Sequence, residues 1–248
     1  CTATSAGIAN TVISYPAPTL VSSDADNTFC AGTTIIFTAS GGTNFNFRVN
    51  GASVQNSGAS AYTTASLTNG QIVDVIVTNA GGCSTTSAGI ANTVVALPTP
   101  TLTSSDADNS FCAGTSVTFT ASGGINYNFR VNGVSVQNGI STSYTTTSLT
   151  NGQIVDVIVS NANGCTATST GITNAVAATP TATLTSSDAD NMICAGSGVT
   201  FTAGGGINYN FRVNGTSVQN SGSATYTTTT LTNGQIVDVI VSNAGGCT

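Results

Sequence analysis

Six of the nine acidic residues in this 248-residue chain sit in one phrase that occurs three times: SSDADNTFC at 22–30, SSDADNSFC at 104–112 and SSDADNMIC at 186–194. Carboxylates two apart in an extended loop can face one way, as an oxygen-ligated Ca²⁺ requires. The candidate ligand sets are Asp24, Asp26 and Asn27; Asp106, Asp108 and Asn109; and Asp188, Asp190 and Asn191. Each falls short of the roughly six to eight oxygens such an ion takes, so a neighbouring domain, backbone or water would have to complete it. A catalytic acid pair needs a cleft and a substrate pocket, and no pattern here supplies one. The plainer chemistry is an Asx turn, in which Asp and Asn side chains accept hydrogen bonds from nearby backbone N–H groups.

Composition excludes most other chemistry. There is no His, Lys, Glu or Trp, and charged residues make up 5% of the chain, against roughly 25% in ordinary domains. Without imidazole there is no base for a Ser or Cys nucleophile. Without Lys there is no Schiff base and no Walker-type phosphate grip. Three Arg and a net charge of -6 argue against nucleic acid. The longest apolar runs, such as QIVDVIV, are far short of the roughly 20 residues of a membrane span, and CTATSAGIAN at the start has neither the basic nor the apolar part of a signal peptide. The expectation is a non-enzyme without a resident cofactor, Ca²⁺ excepted, read as an excerpt of a longer protein.

What positions these residues is a repeat. LTNGQIVDVIV stands unchanged at 67–77, 149–159 and 231–241, and Cys1, Cys83, Cys165 and Cys247 are 82 apart, as are Cys30, Cys112 and Cys194. That period suits a small autonomous domain better than a solenoid rung. Pro16, Pro98 and Pro180 mark the joins. The expected division is 1–15 as the last strand of a preceding repeat, then repeats at 16–97 and 98–179, and 180–248 as a repeat lacking its last strand.

Within the middle repeat the pattern is all-β. TPTLTSS (99–105) opens it. TSVTFTAS (115–122) alternates, with Val117, Phe119 and Ala121 on one face. NYNFRV (126–131) turns Tyr127, Phe129 and Val131 inward, and Asn132-Gly133 signals a type I′ hairpin into VSVQ. SYTTTSL (143–149), IVDVIVSN (154–161) and TATSTGITNAV follow, with Asn151-Gly152 between the first two. About seven short strands at this spacing predict tandem immunoglobulin-like β-sandwiches. Arg130 and Asp156 fall outward on neighbouring strands and predict a cross-strand ion pair, as do Arg48 with Asp74 and Arg212 with Asp238.

Cys112 with Gly114 before an alternating strand, and Asn161, Gly164 and Cys165 before the last strand, form a pattern that recurs along the chain. It resembles the Ig-like repeats of giant surface proteins of Bacteroidota, including flavobacterial gliding-motility adhesins. The Val-rich strand departs from that group by carrying Val155 where an inward aromatic is usual. The resemblance implies export to the bacterial cell surface, by type IX secretion, and a part in adhesion or gliding.

Two Cys per repeat in a charge-poor chain predict disulfides in an oxidising exterior. Clustered thiolates for a metal are absent, since the Cys spacings are 29 and 53. Two pairings are open. One closes each repeat on itself, Cys30 with Cys83 and Cys112 with Cys165. The other rivets each repeat to its successor, Cys30 with Cys165 and Cys112 with Cys247. Ig topology puts the loop before the second strand and the turn before the last at opposite poles, about 20 Å apart, too far for a bond whose Cα atoms lie within about 7 Å. That favours the rivets, under which Cys1, Cys83 and Cys194 would find partners only in or next to repeats outside this sequence.

The functional expectation is a non-catalytic stalk or adhesive fibre whose partners are neighbouring repeats. Two alternatives are weighed. Thr-rich faces such as SYTTTSLT (143–150) could bind extracellular polysaccharide or another surface, with or without Ca²⁺. Outward residues such as Ile158 could join copies into a filament. Asn214-Gly215-Thr216 is an isolated glycosylation sequon.

Overall fold

Alternation with period two sets the architecture. In the computed structural model, which describes residues 1–248, every regular element is a β-strand, and no helix is long and apolar enough to cross a membrane. The chain divides into two compact units, Cys1–Pro98 with Asn161–Thr166, and Thr99–Ser160 with Ala167–Thr248.

The first unit contains β1 (Thr19–Ser22), β2 (Thr28–Cys30), β3 (Ile35–Ser40), β4 (Asn44–Val49), β5 (Ala52–Ser57), β6 (Ala61–Thr64), β7 (Ile72–Thr78), β8 (Ser84–Thr86), β9 (Ile90–Ala91) and β10 (Thr93–Val95). One sheet runs β1-β3-β6 and the other β5-β4-β7-β8, with β9 also on β7. β2 and β10 form a separate parallel pair. Ile35, Phe37 and Ala39 of β3 face Phe45 and Phe47 of β4 and Val73, Val75 and Val77 of β7 in one buried core. Phe37, Phe47 and the three valines are fully enclosed. Tyr62 ties the sheets together, its ring 6.4 Å from Phe37 and 5.8 Å from Phe47, distances at which aromatic pairs attract beyond their area.

The second unit carries the same plan twice. Its first core holds Val117, Phe119, Tyr127, Phe129, Val155, Val157 and Val159, with Tyr144 taking the place of Tyr62. Its second holds Val199, Phe201, Tyr209, Phe211 and Val241, with Tyr226 in that role. These are tandem Ig-like β-sandwich domains. The expected inward residues are buried, Val131 only in part. The predicted final strand TATSTGITNAV is broken into Thr166–Thr168, Ile172–Thr173 and Ala175–Ala177. A further strand, Ser110–Cys112, lies where the sequence suggested only a loop, and it pairs in parallel with Ala175–Ala177.

Turn chemistry follows the residues. Asn132 and Gly133 both have positive φ, 50° and 79°, the two left-handed positions of a type I′ turn. Gly123 has φ +101°, and a Cβ there would stand 2.2 Å from the Thr99 carbonyl oxygen. Gly133 has nothing within 4 Å of that position. Gly123→Ala should therefore cost about 3 kcal/mol or more, from strain and overlap together, and Gly133→Ala only about 1–2 kcal/mol. Guanidinium unfolding of both variants measures the difference, and equal costs would contradict the close approach.

Candidate functional site

In the aspartate phrase the Ser and Asp side chains turn back on backbone N–H groups, while Asn27 Oδ1 and Asn109 Oδ1 are buried without a partner. The Ser22 hydroxyl accepts from the Asp24 N–H at 3.1 Å, and the Ser23 hydroxyl accepts from the Ile36 N–H at 3.0 Å. Asp24 and Asp26 each accept, through Oδ1, from the same Thr28 N–H at 2.9 Å. Asn27 takes φ 56°, a left-handed conformation that Asn tolerates better than most residues, and its carbonyl accepts from the Thr93 N–H at 2.8 Å. Asp106 and Asp108 treat Ser110 in the same way, as Asp188 and Asp190 treat Met192. Asn109 and Asn191 hold the same left-handed φ. No group of three or more His, Cys, Asp or Glu side chains is gathered here or elsewhere. The loop thus shapes the entry to β2, and through Asn27 it starts the pairing of β2 with β10.

That pairing places the cysteines. Cys30 stands opposite Val95 in the parallel register, and the Ala31 N–H donates to the Val95 carbonyl. The next carbonyl, Ala96, accepts from Asn161 Nδ2 at 2.9 Å. Asn161 Oδ1 in turn accepts from the Asn163 and Cys165 N–H groups, folding the turn so that Cys165 meets Cys30. Their sulfurs are bonded, with Cα atoms 5.6 Å apart. In the second unit Asn243 Nδ2 donates to the Ala178 carbonyl, Asn243 Oδ1 accepts from the Cys247 N–H, and Cys112 is bonded to Cys247 with the same Cα separation. Cys1, Cys83 and Cys194 carry free thiols.

Two kinds of residue at these joints have roles that the sequence alone did not assign. One is the turn asparagine, Asn79, Asn161 or Asn243, visible only as part of a recurring Asn-x-x-Gly-Cys. The other is the enclosed pair Asn92 and Asn174, 2% and 0% exposed. Asn174 Nδ2 donates to the carbonyls of Gln153 and Ile172, and Asn92 to those of Gln71 and Ile90. Their signal was present: Ile172, Asn174 and Val176 alternate, which puts the amide on the inward face.

The charged residues form the cross-strand pairs. Arg130 and Asp156 are opposite in register and bond twice, Nε to Oδ1 at 2.7 Å and Nη2 to Oδ2 at 2.8 Å. Arg48 with Asp74 and Arg212 with Asp238 repeat this. Hydrogen bonding to the aspartate raises each Arg above its ordinary value, burial opposing it. For the Arg48 and Arg130 pairs, each partly buried, such a fork stabilises by about 0.2–1 kcal/mol. Ile158 is half-buried. On the outward Thr-rich face the Thr118 and Thr145 hydroxyls bond at 2.8 Å, and Thr146, on the opposite face of that strand, bonds Ser148 at 3.0 Å. A depression of ≈ 380 Å³ beside Val131, Tyr144, Leu149 and Gln153 contains no carboxylate, imidazole, amine or thiol.

No family model matches the chain, and no curated protein does. Among solved structures it is similar to the fibronectin(III)-like modules of Clostridium thermocellum CbhA, at 14% identity and TM-score 0.39 over 64% of this chain and 93% of that one. It is also similar to the eight N-terminal Ig domains of Down Syndrome Cell Adhesion Molecule isoform 1.30.30, at 10% identity and TM-score 0.40 over 93% of this chain and 42% of that one. A third similarity, to the amphioxus IgVJ-C2 molecule, has 17% identity and TM-score 0.26 over 60% and 99% of the two chains.

Because Asp106 and Asp108 share one donor, either alone can satisfy it. Asp106→Ala and Asp108→Ala should each cost less than about 0.5 kcal/mol, and the double variant about 1–2 kcal/mol, as the Ser110 N–H loses both acceptors. A double-mutant cycle by urea unfolding measures the coupling, and strict additivity would argue against the shared bond.

Proposed function

We propose that this chain is a structural segment of a secreted fibre or stalk on a bacterial surface, non-catalytic, whose work is to carry tension and hold an adhesive part away from the cell. The carrying observation is that both disulfides span 135 residues, more than the 82 of one repeat. Each therefore binds a repeat to the next rather than closing one on itself. Such bonds persist in an oxidising exterior, which supports secretion. Bacterial surface display, adhesion and gliding are supported by the Cys112/Gly114 and Asn161/Gly164/Cys165 pattern described above. The paucity of charge, three Arg and nine Asp, suits a passive spacer with little electrostatic attraction for partners.

Single-molecule pulling between the chain ends tests this reading. With both bonds intact, force bypasses most of the backbone, and the fully extended length should be about 300 Å; after reduction it should be about 900 Å, at roughly 3.6 Å per residue. An extended length unaffected by reductant would show that the bonds do not bridge repeats under load, and the mechanical reading would fall.

A further inference from the structure

The two sheets of the middle repeat part along one side. Val134–Gly139 is the edge strand of one sheet, and Ser143–Thr146 is the edge strand of the other. Gln137 ties the two edges, its Nε2 donating to the Ser143 carbonyl at 2.8 Å. Next to that tie lies the depression of ≈ 380 Å³, walled by Val131, Val134, Val136 and Leu149. Val134 and Val136 are 68% and 44% exposed, and neither belongs to the core of the repeat.

Three polar side chains of the cleft are fixed with their donors unused. Gln153 Oε1 accepts from the Thr150 N–H and Asn132 Oδ1 from the Ile154 N–H, each at 2.9 Å, while the NH2 groups of both amides bond nothing in the protein. Tyr144 is held through its ring by Phe119 and Phe129. Its hydroxyl has no protein partner, unlike that of Tyr127, which donates to the Gly124 carbonyl. Fixed donors beside an apolar wall are the makings of a small-ligand site. No charged side chain lines it, and a net charge of -6 disfavours an anion. The ligand that fits is neutral, rich in acceptor oxygens, and apolar on one face; a pyranose ring is all three. The first repeat keeps Val49, Asn50, Val54, Tyr62, Leu67 and Gln71 at these places, and the third Val213, Asn214, Val218, Tyr226, Leu231 and Gln235. Their amide oxygens are tied in the same way. Only the rim changes appreciably, Val134 being Ala52 in the first repeat and Thr216 in the third.

We propose that this cleft binds one pyranose unit of a neutral polysaccharide. The C–H face of the ring lies on Val134 and Val136, and its oxygens accept from Gln153 Nε2, Asn132 Nδ2 and the Tyr144 hydroxyl. A site for a single unit is weak, with a dissociation constant on the order of 1 mM, and a tandem array strengthens it through avidity. The chain then grips a polymer along its length as well as holding its own repeats together. This goes beyond the stalk reading. That reading rests on the disulfides, none of which contributes to the cleft, so either can fail without the other.

The test follows the isotope-labelled 248-residue chain by NMR during titration with cellohexaose, laminarihexaose, maltohexaose and mannohexaose. With at least one of them, the side-chain NH2 signals of Gln153 and Asn132 and the amides around Tyr144 should shift and saturate at about 1–10 mM. Gln153→Glu keeps an oxygen for the Thr150 N–H, and Tyr144→Phe keeps the ring between Phe119 and Phe129. Each should weaken binding at this repeat by about 5–10-fold, while the first and third repeats respond as before. Thr118→Val, on the outward Thr-rich face, should leave binding unchanged. An alginate oligomer and a decaproline peptide stand for an anionic sugar and a protein ligand, and neither should shift these signals. Four neutral sugars without effect, binding undiminished in either cleft variant, loss of binding in Thr118→Val, or tighter binding of alginate or decaproline would each overturn the proposal.

Discussion

One backbone hydrogen bond, from the Thr93 N–H to the Asn27 carbonyl, organises the rest of each joint. It sets β10 beside β2 in parallel, and that register leaves Cys30 opposite Val95. The following carbonyl is held by Asn161, whose own side-chain oxygen folds the turn that presents Cys165. No step in this run is strong, since a typical hydrogen bond contributes about 1 kcal/mol net. Together they hold two sulfurs at bonding distance. The aspartates belong to the same run, because their grip on the Thr28 N–H holds Asn27 in the left-handed conformation from which its carbonyl meets Thr93.

The cores are economical in a similar way. In the first two repeats three enclosed valines from one strand join two phenylalanines from facing sheets, and a single tyrosine spans the two aromatic rings. Interiors this small leave little reserve. The covalent links between Cys30 and Cys165 and between Cys112 and Cys247 add a constraint that such small cores do not supply.

The fold was legible in the sequence because it rests on short-range signals. Val117, Phe119 and Ala121 alternate in the chain and are buried in the structure, and Asn132-Gly133 makes the type I′ turn its residue types require. The joints were less legible. Ser110–Cys112 is only three residues long and pairs in parallel with a strand more than 60 residues away, and no local pattern announces such a partner. Asn174 was overlooked for a related reason: it reads as a polar surface residue until the inward face of Ile172 and Val176 is known. The cysteine spacing allowed two connectivities, and only the placement of the two loops at opposite ends of a repeat separates them.

The two disulfides enclose overlapping stretches, 30–165 and 112–247, and this overlap gives the molecule a tolerance to damage. A single peptide bond cut anywhere between Cys30 and Cys247 leaves both halves covalently attached, because at least one disulfide spans the break. Between Cys112 and Cys165 both do, so a nick there survives even the loss of one bridge. A polymer built on this pattern behaves less like a chain, which fails at its weakest link, than like a laced cord. For material exposed to foreign proteases, that redundancy preserves continuity after the first cut.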